Sequence, residues 1–211
     1  MKKNSLTKEE TILEVSKELF AKHGFDGAST RDICKKADVN ISMISYYFGG
    51  KEGLYKKIIS DIADKLIFNV LKNSELIDKE LNLKEMNREE KVQLLLKIID
   101  CFISFFYSSA ITNAEIIIML REQITSGTTI NSAGYKIFKR IIASILNKEE
   151  NDKEVVFRTI SIAGQMNAAR ILTQFSLKEL NQSGYTAEDV EMIKNIAINQ
   201  TMAILDSLEN N

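Results

Sequence analysis

Between residues 29 and 55 the chain reads STRDICKKADVNISMISYYFGGKEGLY, and Ser42, Ser45 and Tyr46 stand close together after Asn40. Hydroxyls on one face of a short helix can donate to and accept from base edges. Ile41 or Met43 beside them can touch a thymine methyl, so the chemistry on offer is the reading of a DNA major groove, about 12 Å wide. Thr30 and Lys51 each stand where a helix is expected to begin. There, free backbone N–H groups and the helix dipole favour phosphate, and Lys51 adds a full charge.

Two short helices are needed to hold such a face. Ser29 or Thr30 can cap the first, with Asp32 in its opening turn and with Ile33 and Ala37 four apart on its inner side. Residues 37–40 make the turn, and Asn40 is a good cap for a second helix in which Ile44 and Phe48 face inward. Helical hairpins of this kind also occur as plain surface structure, and this segment alone leaves both readings open.

The residues around the hairpin resemble the TetR family of transcriptional regulators. Matching positions run from Ile12 to Phe20, then Gly24, Phe25, Gly27, Ser29, Thr30, Asp32, Ile33, Ala37 and Val39, through Tyr46, Tyr47 and Phe48 to Lys51, Glu52 and Leu54. Further on, Ile118, Met119, Leu120, Arg121, Glu122 and Gln123, with residues 160–165, are similar to the C-terminal domain of the CecR-like subgroup. Where that subgroup usually has a proline after the Arg-Glu pair, this chain continues Ile124-Thr125-Ser126-Gly127. The resemblance implies an all-α fold, with a three-helix helix-turn-helix DNA-binding domain over residues 1–57 and a larger helical bundle for ligand binding and dimerisation over 58–211. It places Arg31, Ile41, Ser42, Met43 and Ser45 at base edges, with Tyr46 at a base or in the helix's own packing. It places Thr30, Tyr47 and Lys51 at phosphates. Ser45 departs from the pattern, because many relatives carry an aromatic residue there. The implied protein is a homodimer that represses from a palindromic double-stranded operator and is released by a small-molecule effector. A helical carrier or adaptor without DNA binding is the competing class, separated from a regulator only by the reading head.

Composition is consistent with helices. None of the 211 residues is proline and only nine are glycine, which favours long uninterrupted helices over a turn-rich β architecture. Net charge is −1, yet residues 1–57 hold eleven Lys or Arg against eight Asp or Glu, a modest excess at the DNA-facing end. Enzymatic chemistry lacks its parts. There is a single histidine, His23, the carboxylates are scattered, and Gly49-Gly50-Lys51 has neither the first glycine nor the Ser/Thr of a phosphate loop. Cys34 and Cys101 stand alone without metal-ligand spacing, so no metal and no cofactor are expected and both read as small buried hydrophobes. No run approaches membrane-spanning length and no apolar stretch follows the opening lysines, so a cytoplasmic protein is expected.

Helix periodicity supplies the rest. Thr7 and Glu10 form a capping-box pattern for a first helix with Ile12, Val15, Leu19 and Phe20 on its apolar face, ending near His23-Gly24. Lys51 opens a long helix with Leu54, Ile58, Ile62, Leu66 and Val70, followed by a polar connection over 72–90. Apolar helices follow at 91–107 and 113–124. Phe102, Phe105, Phe106 and Tyr107, with Met119, could line an apolar ligand cavity, and Arg121 or Arg170 could orient an acidic ligand, though helical-spaced Phe is more often core and Arg more often pairs with Glu. Two last helices are expected at 153–175 and 186–208. The family resemblance assigns Ile160, Gly164, Ala168, Ile193, Ala197 and Ile204 to pairing across a two-fold axis, against the alternative that they close the chain's own core.

Overall fold

The computed structural model describes residues 6–73, 82–125 and 132–206. Among these the chain is all-α, with ten helices and no strand. The helices are α1 Lys8–Gly27, α2 Thr30–Ala37, α3 Ile41–Phe48, α4 Lys51–Asn73, α5 Arg88–Phe106, α6 Asn113–Thr125, α7 Ser132–Leu146, α8 Lys153–Ile171, α9 Thr173–Glu179 and α10 Ala187–Asp206. Part of the 72–90 connection and Leu208 lie outside the described residues.

Several helix starts are set by side-chain caps. Thr7 accepts the Glu10 N–H at 3.2 Å while the Glu10 carboxylate accepts the Thr7 N–H at 2.7 Å, which fixes the start of α1. Asn87 and Glu90 repeat the arrangement at α5. Near its end α1 is interrupted at Gly24, whose φ of +74° is left-handed, at the stop that the sequence suggests. The single helix expected over 153–175 is instead α8 and α9, with Leu172 between them.

The chain divides into two compact units. The first comprises residues up to Lys65 together with the segment from Ile111 through α6, and the second takes the remainder. In the first, α1 packs on α2 and on α6, and α2 on α3. Ile12, Phe20, Ile33, Ile44, Leu54 and Ile58 form its fully buried centre, so one core seats both short helices and the start of α4. In the second, α5, α7, α8 and α10 pack on one another around Leu95, Ile99, Ile103, Ile141, Ile142 and Ile162.

Candidate nucleic-acid interface

The hairpin is capped at each joint. Ser29 accepts the Asp32 N–H at 3.0 Å and donates its hydroxyl to the Asp32 carboxylate at 2.5 Å, opening α2. Asp38, at φ +52°, closes that helix by donating its N–H to the Cys34 carbonyl. Asn40 then accepts both the N–H and the hydroxyl of Ser42 at 3.0 Å, starting α3. Gly49 and Gly50, at φ +70° and +117°, turn the chain into α4. Gly53, in the first turn of α4, lies so close to the end of α3 that a Cβ there would sit 1.7 Å from the Phe48 carbonyl oxygen. That contact sets the aim of α3 relative to α4.

This frame sorts the side chains of α3 by face. Ile44 is 1% exposed, whereas Tyr46 is 83% exposed and Ile41, Ser42, Ser45 and Tyr47 also face solvent. Arg31 is exposed on α2, while Thr30, Met43 and Lys51 are half-buried. The Ser42 hydroxyl is oriented by Asn40 yet keeps lone pairs for an incoming donor. Tyr46 and Tyr47 meet edge to face at 5.1 Å. The Lys51 ammonium sits over the Phe25 ring, 4.5 Å from its centroid, which holds a cation beside the start of α4. An exposed helix with hydroxyl, aromatic and methyl groups, seated on a buried isoleucine and flanked by a held cation, can enter a groove and grip its backbone.

Comparison with known proteins agrees over both parts of the chain. The family pattern "Bacterial regulatory proteins, tetR family" matches residues 12–58. The pattern "HTH-type transcriptional dual regulator CecR, C-terminal domain" matches residues 92–208, more than half of the chain. This chain is a TetR-family transcriptional regulator. It is similar to the HTH-type transcriptional dual regulator CecR of Shigella flexneri, with 27% identity over 190 residues, covering 87% of this chain and 82% of that protein. It is also similar to YttP of Bacillus subtilis (strain 168), named as an HTH-type transcriptional regulator, with 47% identity over 53 residues. That shorter match spans 25% of this chain and 26% of YttP. In fold it is similar to a transcriptional regulator from Aquifex aeolicus VF5, with a TM-score of 0.53 and 20% identity, over 94% of this chain and 99% of that one.

In this TetR-family chain, the residues suggested for a ligand cavity fall into two groups. Phe102, Phe105 and Phe106 are buried on α5 in the second unit, with centroids 6.1 Å apart for Phe102 and Phe106 and 5.7 Å for Phe105 and Phe106. Arg170 belongs to that unit too, its guanidinium 6.0 Å from the centre of the Tyr107 ring. Tyr185 meets the same ring edge-on at 5.2 Å, and burial, with Tyr185 beside it, pushes the Tyr107 phenol up to about 12. Tyr107 belongs to the aromatic group that the sequence suggests, whereas Tyr185 lies in the polar stretch 181–189 and carries no such signal. Met119 and Arg121 belong to the first unit, Met119 buried and Arg121 exposed.

The residues suggested for dimerisation also differ in exposure. Ile160, Gly164 and Ala168 lie open along one face of α8, continued by Phe157 and Ile171, and open space lies where a Cβ on Gly164 would go. On α10, Ile193 and Ile204 are half-buried and Ala197 is 2% exposed, inside the unit's own core. The large exposed apolar residues of α10 are Met192 and Ile196. The family resemblance named residues on both helices, but on α10 nothing in the spacing separates core from surface.

A buried carboxylate holds the reading unit together. Glu115, 1% exposed, accepts from Lys17 of α1 at 3.1 Å and from Lys65 of α4 at 2.7 Å. Its second oxygen accepts the Thr112 N–H at 2.8 Å, closing a cap on α6. Burial alone would raise its pKa, but hydrogen bonds from Lys65, Thr112 and Lys17 outweigh it and hold the carboxyl at about 2. Two turns along α6, Glu122 accepts the Tyr55 hydroxyl at 3.0 Å. Burial and that carboxylate push the phenol up to about 12, so Tyr55 remains a donor. Burial also raises both thiols, Cys34 and Cys101, which makes them weaker nucleophiles than an open cysteine. Among the described residues no group of three His, Cys, Asp or Glu side chains is placed to hold a metal. None of the described helices is long and apolar enough to cross a membrane.

Proposed function

We propose that this regulator acts as a homodimeric repressor that lays α3 of each protomer in the major groove of a palindromic operator and is released by a small-molecule effector. The observation that carries the reading is the exposed face of α3, with Tyr46 out in solvent while Ile44 anchors the helix. Arg31, Ile41, Ser42, Met43, Ser45 and Tyr46 serve base edges, and Thr30, Tyr47 and Lys51 serve phosphates. One helix reads too few base pairs for specificity, so two copies with reading helices about 34 to 36 Å apart are needed. The open apolar face of α8, with Phe157, Ile160, Gly164, Ala168 and Ile171, supports pairing of two protomers, joined by Met192 and Ile196 of α10. A functional division at 57/58 makes residues 58–211 the regulatory domain. Effector binding near Phe102, Phe105, Phe106 and Arg170 shifts α4 and with it the spacing of the reading helices. A coupling of about 1–3 kcal/mol would lower operator affinity roughly 5- to 150-fold.

Selection of bound sequences from a random duplex library, with the mass of the winning complex measured, tests this reading. A palindromic winner bound by two chains supports it. No enrichment beyond salt-sensitive background refutes it and leaves a helical carrier.

A further inference from the structure

The reading unit contains a cleft of about 600 Å³ at the end of α1, the start of α4 and the last turns of α6. Its floor is aromatic. The rings of Phe20 and Phe25 each lie 5.1 Å from that of Tyr55, with Ile59 and Ile118 beside them. Charged groups ring the mouth, and most are engaged: Glu52 pairs with Lys56 at 2.6 Å, and Glu122 accepts from Tyr55. Arg121 differs. Its guanidinium lies so close to Gly24 that a Cβ there would be 2.9 Å away, and it makes no hydrogen bond or ion pair among the described residues.

We propose that this cleft is a binding site for a small aromatic monocarboxylate, its ring on Phe25 and Tyr55 and its carboxylate on the fork of Arg121. The volume suits a small ligand, and an apolar floor with few convergent polar groups is what such ligands require. A planar guanidinium, here unpaired among the described residues, matches a carboxylate with two parallel hydrogen bonds. The charge balance sets the upper limit on the anion. Asp26, Glu52 and Glu122 outnumber Lys56 and Arg121 at the mouth, so a multiply charged phosphate or nucleotide is repelled where a single carboxylate is accepted. Gly24 is the residue that admits the guanidinium, which gives its left-handed backbone a second use. Because Phe25 also carries the Lys51 ammonium, a guest ring on Phe25 alters the setting of a phosphate-facing lysine. That consequence for DNA rests on the proposed function; binding itself does not.

Titration calorimetry of the full chain with naphthoate tests the site, with naphthamide and naphthylmethylamine as neutral and cationic counterparts, and with Arg121→Gln. The Arg121 side chain is exposed and makes no hydrogen bond or ion pair among the described residues, so the variant is expected to fold. Naphthoate should bind, and loss of the charge on either side should weaken it about tenfold or more. Nuclear Overhauser contacts should run from naphthoate to Phe25 and Ile59. The proposal is overturned if naphthoate does not bind, if Arg121→Gln binds it equally, if the amine binds more tightly, or if the contacts fall on the second unit. Operator titrations on the same samples separate the two failures, since loss of naphthoate binding leaves operator recognition intact.

Discussion

Glu115→Gln should destabilise the reading unit through the ion cluster that it dissolves. The carboxyl is held at about 2 against an ordinary 4.5. At about 1.36 kcal/mol for each pKa unit, that difference corresponds to roughly 3 kcal/mol of native stability at neutral pH. Because the folded value is depressed, this contribution is complete above about pH 4.5 and disappears as pH falls toward 2. Removing one partner of a buried ion pair typically costs about 3–5 kcal/mol. Here Lys17 keeps Glu14 at 2.6 Å and Lys65 is partly exposed, so a loss of about 2–3 kcal/mol is expected for the glutamine. Urea unfolding followed by circular dichroism, at one fixed protein concentration, measures it. The wild type should lose stability on acidification over the window from 4.5 to 2, and the variant should show a shallower loss. Thr112→Ala is the companion, because it removes the cap and leaves the lysines; it should cost about 1 kcal/mol and keep the acid limb. A Glu115→Gln variant within about 0.5 kcal/mol of wild type at neutral pH, with an unchanged acid limb, would refute this account.

Other perturbations address the reading head and the proposed interface. Gly53→Ala places a Cβ against the Phe48 carbonyl oxygen and should cost about 1–3 kcal/mol in thermal unfolding, together with operator affinity. Gly49→Asn, at a left-handed position with open space around it, should be close to neutral in both. Lys51→Ala should weaken binding to every duplex and lower the salt slope by about 1, while Ser42→Ala should change preference at one base pair; equal effects of both on operator and random DNA would contradict the division into phosphate and base contacts. Ile160→Glu should leave the protomer folded, because the side chain already faces solvent, and should convert a dimer to monomer in sedimentation. A dimer that persists would exclude that face of α8.

The starts of α1, α2 and α3 were legible because a side chain caps each helix, whereas the Asn87–Glu90 box that opens α5 fell inside the stretch expected as a polar connection. Thr7 with Glu10, Ser29 with Asp32, and Asn40 with Ser42 are local events spanning two or three residues, and the structure contains all of them. The inward Ile33 and Ile44 followed from period, because burying one stripe of an amphipathic helix satisfies the same spacing in any tertiary setting. What stayed hidden depends on contacts distant in sequence. Nothing local marks Glu115, because its tie to Lys17 joins residues 98 apart and leaves no pattern in the sequence. Gly53 was unremarkable until the backbone of α3 lay against it. No element was expected at Ser132–Leu146, although Phe138, Ile141, Ile142 and Ile145 of α7 are buried on one side. Its start gives no cap pattern that stands out from the polar residues before it.

The grouping of α6 with the reading head bears on how a signal would reach DNA under the proposed mechanism. Glu115 and Glu122 are seven residues apart, two turns of one helix face, about 10 Å along the axis. The first is tied to Lys17 and Lys65, the second to Tyr55, so α6 is pinned to α1 once and to α4 twice. A rigid helix pinned at three points cannot rotate without moving α1 or breaking a bond. A hydrogen bond to a charged group contributes about 1.5–3 kcal/mol, so giving up one of them is comparable with the whole coupling energy of a typical allosteric protein. The less demanding path is motion of α6 together with the start of α4, where Lys51 rests on Phe25 and Tyr55 touches the same ring. Tyr55→Phe cuts one pin and keeps the ring, so it should leave operator affinity in the absence of effector nearly unchanged while reducing the effector's ability to lower it. If repression were relieved equally well in that variant, the Tyr55–Glu122 bond would not lie on the route.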